Sequence, residues 1–274
     1  MSGNCEKLFS INIEGNVVRG VAHLGNNKRV IVYCPGLAGD RVDCNRLPVD
    51  FGRIVSNRGW DLIRFDYRGT GTSDGDIIQF GFMDLLRDVE EVVMGLEQQY
   101  ETIYLLGISQ AAIQCYYLLG KIKYISGLIL WSPVWGSIEK RASQSNQLLP
   151  SNLLKERTHG FVRMNKKFMR EPKTHELGFP NTGMWINRRF FVERAKVLNA
   201  YMQSSCLVQD KDILVFVGDL DMQIKNDVFL NNRIRYVANN WEVIQGGDHL
   251  FSNYCSRKML YMRTIDVLSD RIGS

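Results

Sequence analysis

Histidine is scarce in this chain. The 274 residues hold four, at positions 23, 159, 175 and 249, so any histidine-dependent chemistry has few places to sit. Other absences narrow the class further. No stretch of about 20 apolar residues occurs, so no membrane-spanning helix is expected. Residues 1–15 lack a basic segment leading into an apolar run, so no secretory signal is expected. The six cysteines, Cys5, Cys34, Cys44, Cys115, Cys206 and Cys255, are scattered without C-x-x-C spacing. That pattern fits free thiols in a reducing, cytoplasmic setting better than a disulfide framework or a zinc site. No Lys/Arg block and no nucleic-acid-binding motif accompany the mild net charge of +5, so nucleic acid is not an expected partner. No internal repeat or low-complexity tract stands out.

What is present is the material of a large α/β domain. Apolar residues make up 45% and charged residues 23% of the chain, ordinary values for a globular protein. Residues 7–13 alternate in polarity, Glu14-Gly15-Asn16 supplies a turn, and residues 17–24 follow, which together read as an edge hairpin. From Val30 to Cys34 the pattern becomes a continuous apolar run, typical of a strand buried on both faces of a parallel sheet. Phe51, Ile54 and Val55 lie at helical spacing before Gly59. Strands are then expected over 61–65, 102–106, 126–131, 213–217 and 241–244. Helices are expected over 82–96, 110–119 and 251–268. Alternation of this kind implies a mostly parallel sheet with helices on both faces. Residues 133–205 break the rhythm: they are polar, contain Pro150, Pro172 and Pro180, and read as an insertion between core segments 1–132 and 206–274.

Five segments carry chemistry. Leu105-Leu106-Gly107-Ile108-Ser109-Gln110-Ala111 follows a buried strand and opens a helix. A nucleophilic serine on a sharp strand-to-helix turn needs small residues two positions either side, and Gly107 and Ala111 supply them. Asp66-Tyr67-Arg68-Gly69-Thr70-Gly71-Thr72-Ser73 follows the 61–65 strand. A dinucleotide-binding reading of its glycines fails for want of the third glycine and of the βαβ setting. Pro35-Gly36-Leu37-Ala38-Gly39 follows the 30–34 strand. Finally, Gly218-Asp219-Leu220-Asp221 ends one strand, and Gly246-Gly247-Asp248-His249-Leu250-Phe251 precedes the last helix. The order Ser, Asp, His along the chain is the order required on such a sheet.

Together these segments resemble the α/β-hydrolase superfamily, its lipase-, esterase-, thioesterase- and serine-aminopeptidase-like members. The resemblance is strongest over 29–131 and 212–251. It implies the α/β-hydrolase fold with a helical lid over 133–205. It also implies Ser109 as nucleophile, His249 as base and Asp221 as the acid that orients it, with Asp219 as the alternative acid. The segment at 35–39 resembles the loop that supplies one oxyanion-hole N–H, with Pro35 in place of the usual histidine. The backbone N–H groups of Leu37 and Gln110 are therefore the implied oxyanion donors. The D-x-R-G-x-G-x-S segment would be structural. Such chemistry needs no cofactor and no metal. A serine at 109 separates the chain from superfamily members that use an aspartate nucleophile, the dehalogenases and epoxide hydrolases.

The implied activity is hydrolysis of a small-molecule carboxylic ester or thioester. Acyl transfer by the same triad, from a carrier-protein- or coenzyme A-bound donor, is the first alternative. A non-catalytic binding protein on a hydrolase scaffold is the second. The insertion holds thirteen Lys and Arg against five acidic residues. That excess would attract an acidic acyl carrier protein or an anionic substrate. Its Phe, Met and Trp residues would line an apolar acyl pocket.

Overall fold

The computed structural model describes residues 5–37, 39–135, 161–163, 185–203, 211–225 and 234–271. Cys5–Ile13 (β1) and Asn16–Leu24 (β2) form the expected hairpin. Their register closes at Ile13↔Asn16, leaving Glu14 and Gly15 as a two-residue turn with φ of 51° and 85°. Positive φ at both positions matches the right-handed twist of the strands they join.

The remaining elements alternate. They are Arg29–Cys34 (β3), Leu47–Val55 (α1), Asp61–Phe65 (β4), Phe82–Met94 (α2), Thr102–Ile108 (β5), Ala111–Lys121 (α3) and Ile125–Trp131 (β6). Phe161–Arg163 (β7) and Trp185–Asn187 (β8) pair as a separate antiparallel ribbon. Arg188–Gln203 (α4), Asp212–Gly218 (β9), Met222–Lys225 (α5), Asn240–Ile244 (β10) and Tyr254–Asp270 (α6) follow, with a short helical turn at Arg235–Val237 before β10. The main sheet has eight strands in the order β1-β2-β4-β3-β5-β6-β9-β10. β1 and β2 pair antiparallel and the six strands from β4 to β10 pair parallel. This is the expected α/β-hydrolase fold.

Side-chain alternation along the strands divides the interior into two cores. On β3, Val30, Val32 and Cys34 face one side with Leu85 and Val89 of α2, Cys115 and Leu118 of α3, and Phe190 of α4. Ile31 and Tyr33 face the other with Phe51 and Val55 of α1 and Leu260 and Tyr261 of α6. Two buried aromatic residues tie this second core together: Trp131 Nε1 donates to Thr264 Oγ1 at 3.2 Å, and Tyr261 donates to the Leu47 carbonyl at 2.9 Å.

Two boundaries differ from the sequence reading for local reasons. The last helix begins at Tyr254, not near 251, because Phe251 has φ 48° and cannot start a right-handed helix. Asn253 caps it, its Oδ1 accepting the Cys255 N–H at 2.8 Å. The second difference is α4. The end of the segment read as irregular is a 16-residue helix. Its Phe190, Val197 and Leu198 are part of the first core. Most of the lid expected over 133–205 lies outside the described residues.

Candidate active site

The C-terminal ends of the parallel strands gather every segment singled out above. In open α/β sheets that end is where ligands bind. Ser109 sits between β5 and α3 with φ 53°, a left-handed conformation that is strained for a residue with a side chain. The elbow is tied to the end of β6 and to the segment after it: the Ser109 N–H donates to the Trp131 carbonyl, and the Val134 N–H donates to the Ser109 carbonyl, each at 3.0 Å. Gly107 explains the small-residue requirement. A Cβ there would lie 2.8 Å from Cys115 Sγ and 3.1 Å from the Ala111 carbonyl, so α3 crosses β5 too closely for any side chain.

His249 reaches the serine from the turn after β10. Its Nε2 lies 2.9 Å from Ser109 Oγ and its Nδ1 lies 2.7 Å from Asp221 Oδ2. The carboxylate can only accept, so Nδ1 carries the proton and Nε2 is free to accept from the hydroxyl. Asp221 is buried, and its second oxygen accepts the Gln223 and Ile224 N–H groups at 2.9 and 3.3 Å, at the start of α5. Both oxygens are therefore occupied and the carboxylate is rotationally fixed. Asp219 makes no such contact; among the described residues its Oδ1 has no hydrogen-bond partner.

A pair of glycines lets the loops that carry Asp221 and His249 meet. A Cβ on Gly218 would stand 2.1 Å from the Gly247 carbonyl oxygen, and a Cβ on Gly247 would stand 3.0 Å from Gly218 Cα. The Leu220 N–H then donates to the Gly247 carbonyl at 2.9 Å. Gly218 was not singled out from the sequence as a site residue. The signal was there, a glycine ending a buried strand, where close backbone approach is the usual reason.

The turn after β3 lies against the elbow. A Cβ on Gly36 would be 3.6 Å from Ser109 Cβ. Among the described residues, neither the Leu37 N–H nor the Gln110 N–H has a hydrogen-bond acceptor. The D-x-R-G loop is held by its own charges. Asp66 is fully buried and accepts the Arg41 and Thr72 N–H groups, each at 2.8 Å, together with the Arg41 side chain. Gly71 leaves room for it, since a Cβ there would be 2.3 Å from that carboxyl. Arg68 Nε donates to buried Asp88 at 2.6 Å. Burial pushes the Asp88 carboxyl up to about 6 in spite of that guanidinium.

His23 is not near this site. It is buried under α1, where Arg64 Nε donates to its Nε2 at 2.7 Å, and burial together with Arg64 pushes it down to about 4. His159, His175 and Cys206 lie outside the described residues. Cys34 and Cys115 are buried free thiols of the first core. Among the described residues, no group of His, Cys, Asp and Glu could hold a metal ion, and no helix is long and apolar enough to cross a membrane.

Comparison with known proteins gives the same frame. A probable lysophospholipase L2 of Haemophilus influenzae is 27% identical over 170 residues, 59% of this chain and 53% of that protein. The chain thus spans about half the length of the curated relative it matches. Two solved structures superpose with a TM-score of 0.71: the α/β hydrolase GrgF from Penicillium sp. sh18 (15% identical, 98% of this chain and 100% of that one) and Est1E from Butyrivibrio proteoclasticus (13%, 97% and 99%). The esterase Pf2001 of Pyrococcus furiosus superposes at 0.65 with 16% identity, over 97% of this chain and 91% of that one. At such identities the likeness is one of fold. The family model for the alpha/beta hydrolase fold matches residues 29–190, more than half of the chain, and with the sheet order, the strained Ser109 and the aspartate–histidine pair beside it, it places this protein in the α/β-hydrolase fold family.

Proposed function

We propose that this protein is a serine hydrolase that cleaves a carboxylic ester or thioester through an acyl-enzyme on Ser109. One observation carries the reading: the continuous hydrogen-bonded line from Ser109 Oγ through the His249 ring to a buried, fully occupied Asp221. In the proposed reaction, Ser109 Oγ attacks the acyl carbon while its proton passes to His249 Nε2. Asp221 keeps the proton on Nδ1 and stabilises the imidazolium that forms. Negative charge develops on the acyl oxygen, and the Leu37 and Gln110 N–H groups are the donors proposed to receive it. Each such donor contributes roughly 3 kcal/mol to the barrier reduction. His249 then returns its proton to the leaving alcohol or thiol, and water repeats the sequence to release the acid.

The esterase and lysophospholipase names of the relatives support an ester as substrate. The serine chemistry rests on the residues themselves. A p-nitrophenyl ester series and a matched thioester series, from acetyl to long-chain acyl, test the reading. Turnover by wild type that vanishes in Ser109→Ala is expected. Turnover surviving in a folded Ser109→Ala variant would remove it. An acidic acyl carrier protein as partner is part of the same proposal and rests on the basic insertion. Turnover of a carrier-bound thioester should fall steeply with salt, and salt-insensitive turnover would remove the partner.

A further inference from the structure

Buried Tyr33 and half-buried Asp43 form a pair that the chemistry above does not use, and they stand behind the turn that carries the Leu37 N–H. That turn is tight: the Gly39 N–H donates to the Gly36 carbonyl at 3.0 Å. It packs onto Asp43. A Cβ on Gly39 would lie 2.9 Å from Asp43 Oδ2 and 3.2 Å from the Gly36 carbonyl oxygen. Asp43 Oδ2 accepts the Tyr33 hydroxyl at 2.6 Å, and Oδ1 accepts the Cys44 N–H at 2.6 Å. Tyr33 is fully buried on β3, a central strand paired on both sides. A rigid element thus holds the carboxylate, and the carboxylate backs the turn.

The backbone is strained to achieve this. Asp43 has φ 53° and ψ −179°, a region that glycine enters easily and aspartate does not. Asn45 and Arg46 follow with φ of 55° and 58°. Three such residues between β3 and α1 cost stability. Strain of this kind persists where surrounding contacts over-determine it, commonly beside reacting atoms. Burial raises the Asp43 carboxyl above the usual carboxylate range, and burial with the neighbouring Asp43 raises the Tyr33 hydroxyl well above its ordinary value. The tyrosine therefore stays protonated and donating across any working pH.

We propose that the Tyr33–Asp43 hydrogen bond is a positioning device for acyl-oxygen stabilisation, fixing the Gly36–Gly39 turn so that the Leu37 N–H points where charge develops. This rests on the active-site reading given above. The two residues touch no reacting atom; they act through the turn. A matched pair exists at the other end of the sheet, where Tyr104 donates to Asp212, also at 2.6 Å. It provides a control for the merely structural effect of losing a tyrosine–carboxylate bond.

The test compares Tyr33→Phe, Asp43→Asn, their double variant and Tyr104→Phe, using p-nitrophenyl acetate turnover, labelling by a fluorophosphonate, and thermal unfolding. Tyr33→Phe should lower kcat by roughly 10- to 100-fold with KM little changed, the size expected for a misaimed donor. The acidic limb of its pH–rate profile should not move, since His249 and Asp221 are untouched. Tyr104→Phe should lose similar thermal stability and keep kcat. The double variant should be no slower than Asp43→Asn alone. Should Asp43→Asn fail to fold, Tyr33→Phe against Tyr104→Phe still decides. Equal, wild-type kcat in those two variants overturns the inference, as does a double variant whose losses multiply. A wild type that neither turns over the ester nor takes the label overturns the active-site reading, and this inference with it; a labelled, active wild type with an unimpaired Tyr33→Phe overturns this inference alone.

Discussion

The two ends of the central sheet use the same residue types to opposite effect. At the N-terminal ends of the parallel strands, carboxylates lock the scaffold. Asp61 accepts the Tyr100 hydroxyl at 2.9 Å and the Gly25 N–H at 2.8 Å, and Asp212 accepts Tyr104. The backbone there is relaxed: among the described residues, Asn26 is the non-glycine with positive φ at that end. At the C-terminal ends, Asp43, Asn45, Arg46, Ser109, Ser132 and Phe251 all have positive φ, and Asp221 faces an imidazole. The first end is optimised for stability. The second is held in a costly shape by what surrounds it, as expected where geometry serves a reaction.

Substitutions at the C-terminal end should therefore change rates, and those at the other end should change stability. The largest effect is expected from Ser109→Ala, with kcat/KM for an ester substrate falling by about 10⁶ while the unfolding curve stays in place. Asp221→Asn should follow at about 10⁴ in kcat, because the wrong histidine tautomer is then favoured. Asp219→Asn should stay within about tenfold of wild type, a barrier change under about 1.4 kcal/mol. The reverse ranking in steady-state kinetics would exchange the two acids. Gly218→Ala tests the junction of acid and base loops. Its new Cβ, 2.1 Å from the Gly247 carbonyl, should cost about 1–3 kcal/mol in denaturant unfolding and lower kcat as well.

Smaller effects belong to the scaffold. His23 is pushed down to about 4 by burial and by Arg64, with Glu6 opposing and Arg53 adding to the shift. The unfolded chain, with His near 6.5, binds that proton first. Stability from this group is present above about 6.5 and is lost as pH falls through about 4, on the order of 2–3 kcal/mol. Chemical unfolding across that window should show it, and His23→Gln should flatten it. Smallest is Tyr100→Phe, about 1 kcal/mol of stability with unchanged kcat. Lost turnover in that variant would blur the contrast between the two ends.

Much of this was legible in the chain because two periodicities were unambiguous. The continuous apolar runs of β3, β5 and β6 mark a two-sided parallel sheet, and the Gly107-to-Ala111 spacing marks the elbow. The choice between Asp219 and Asp221 was not legible. Two carboxylates two positions apart differ only in which one the turn presents, and that turn is set by the Leu220–Gly247 hydrogen bond from a distant loop. Helix α4 was expected only as an unplaced part of a helical lid, because charged residues crowd its sequence, while Phe190, Val197 and Leu198 reach the core only once α2 and α3 are in place. The early start assigned to α6 failed at Phe251, whose left-handed backbone belongs to the His249 turn and leaves no trace in hydropathy.

The central claim is that Ser109 is a nucleophile activated by His249. The most direct test is to treat the folded chain with a fluorophosphonate and map the adduct by peptide mass spectrometry, in wild type and in His249→Ala. The account predicts one adduct per chain, on Ser109, formed orders of magnitude more slowly without the imidazole. An adduct on another residue, or labelling of Ser109 at the same rate in both proteins, would contradict it.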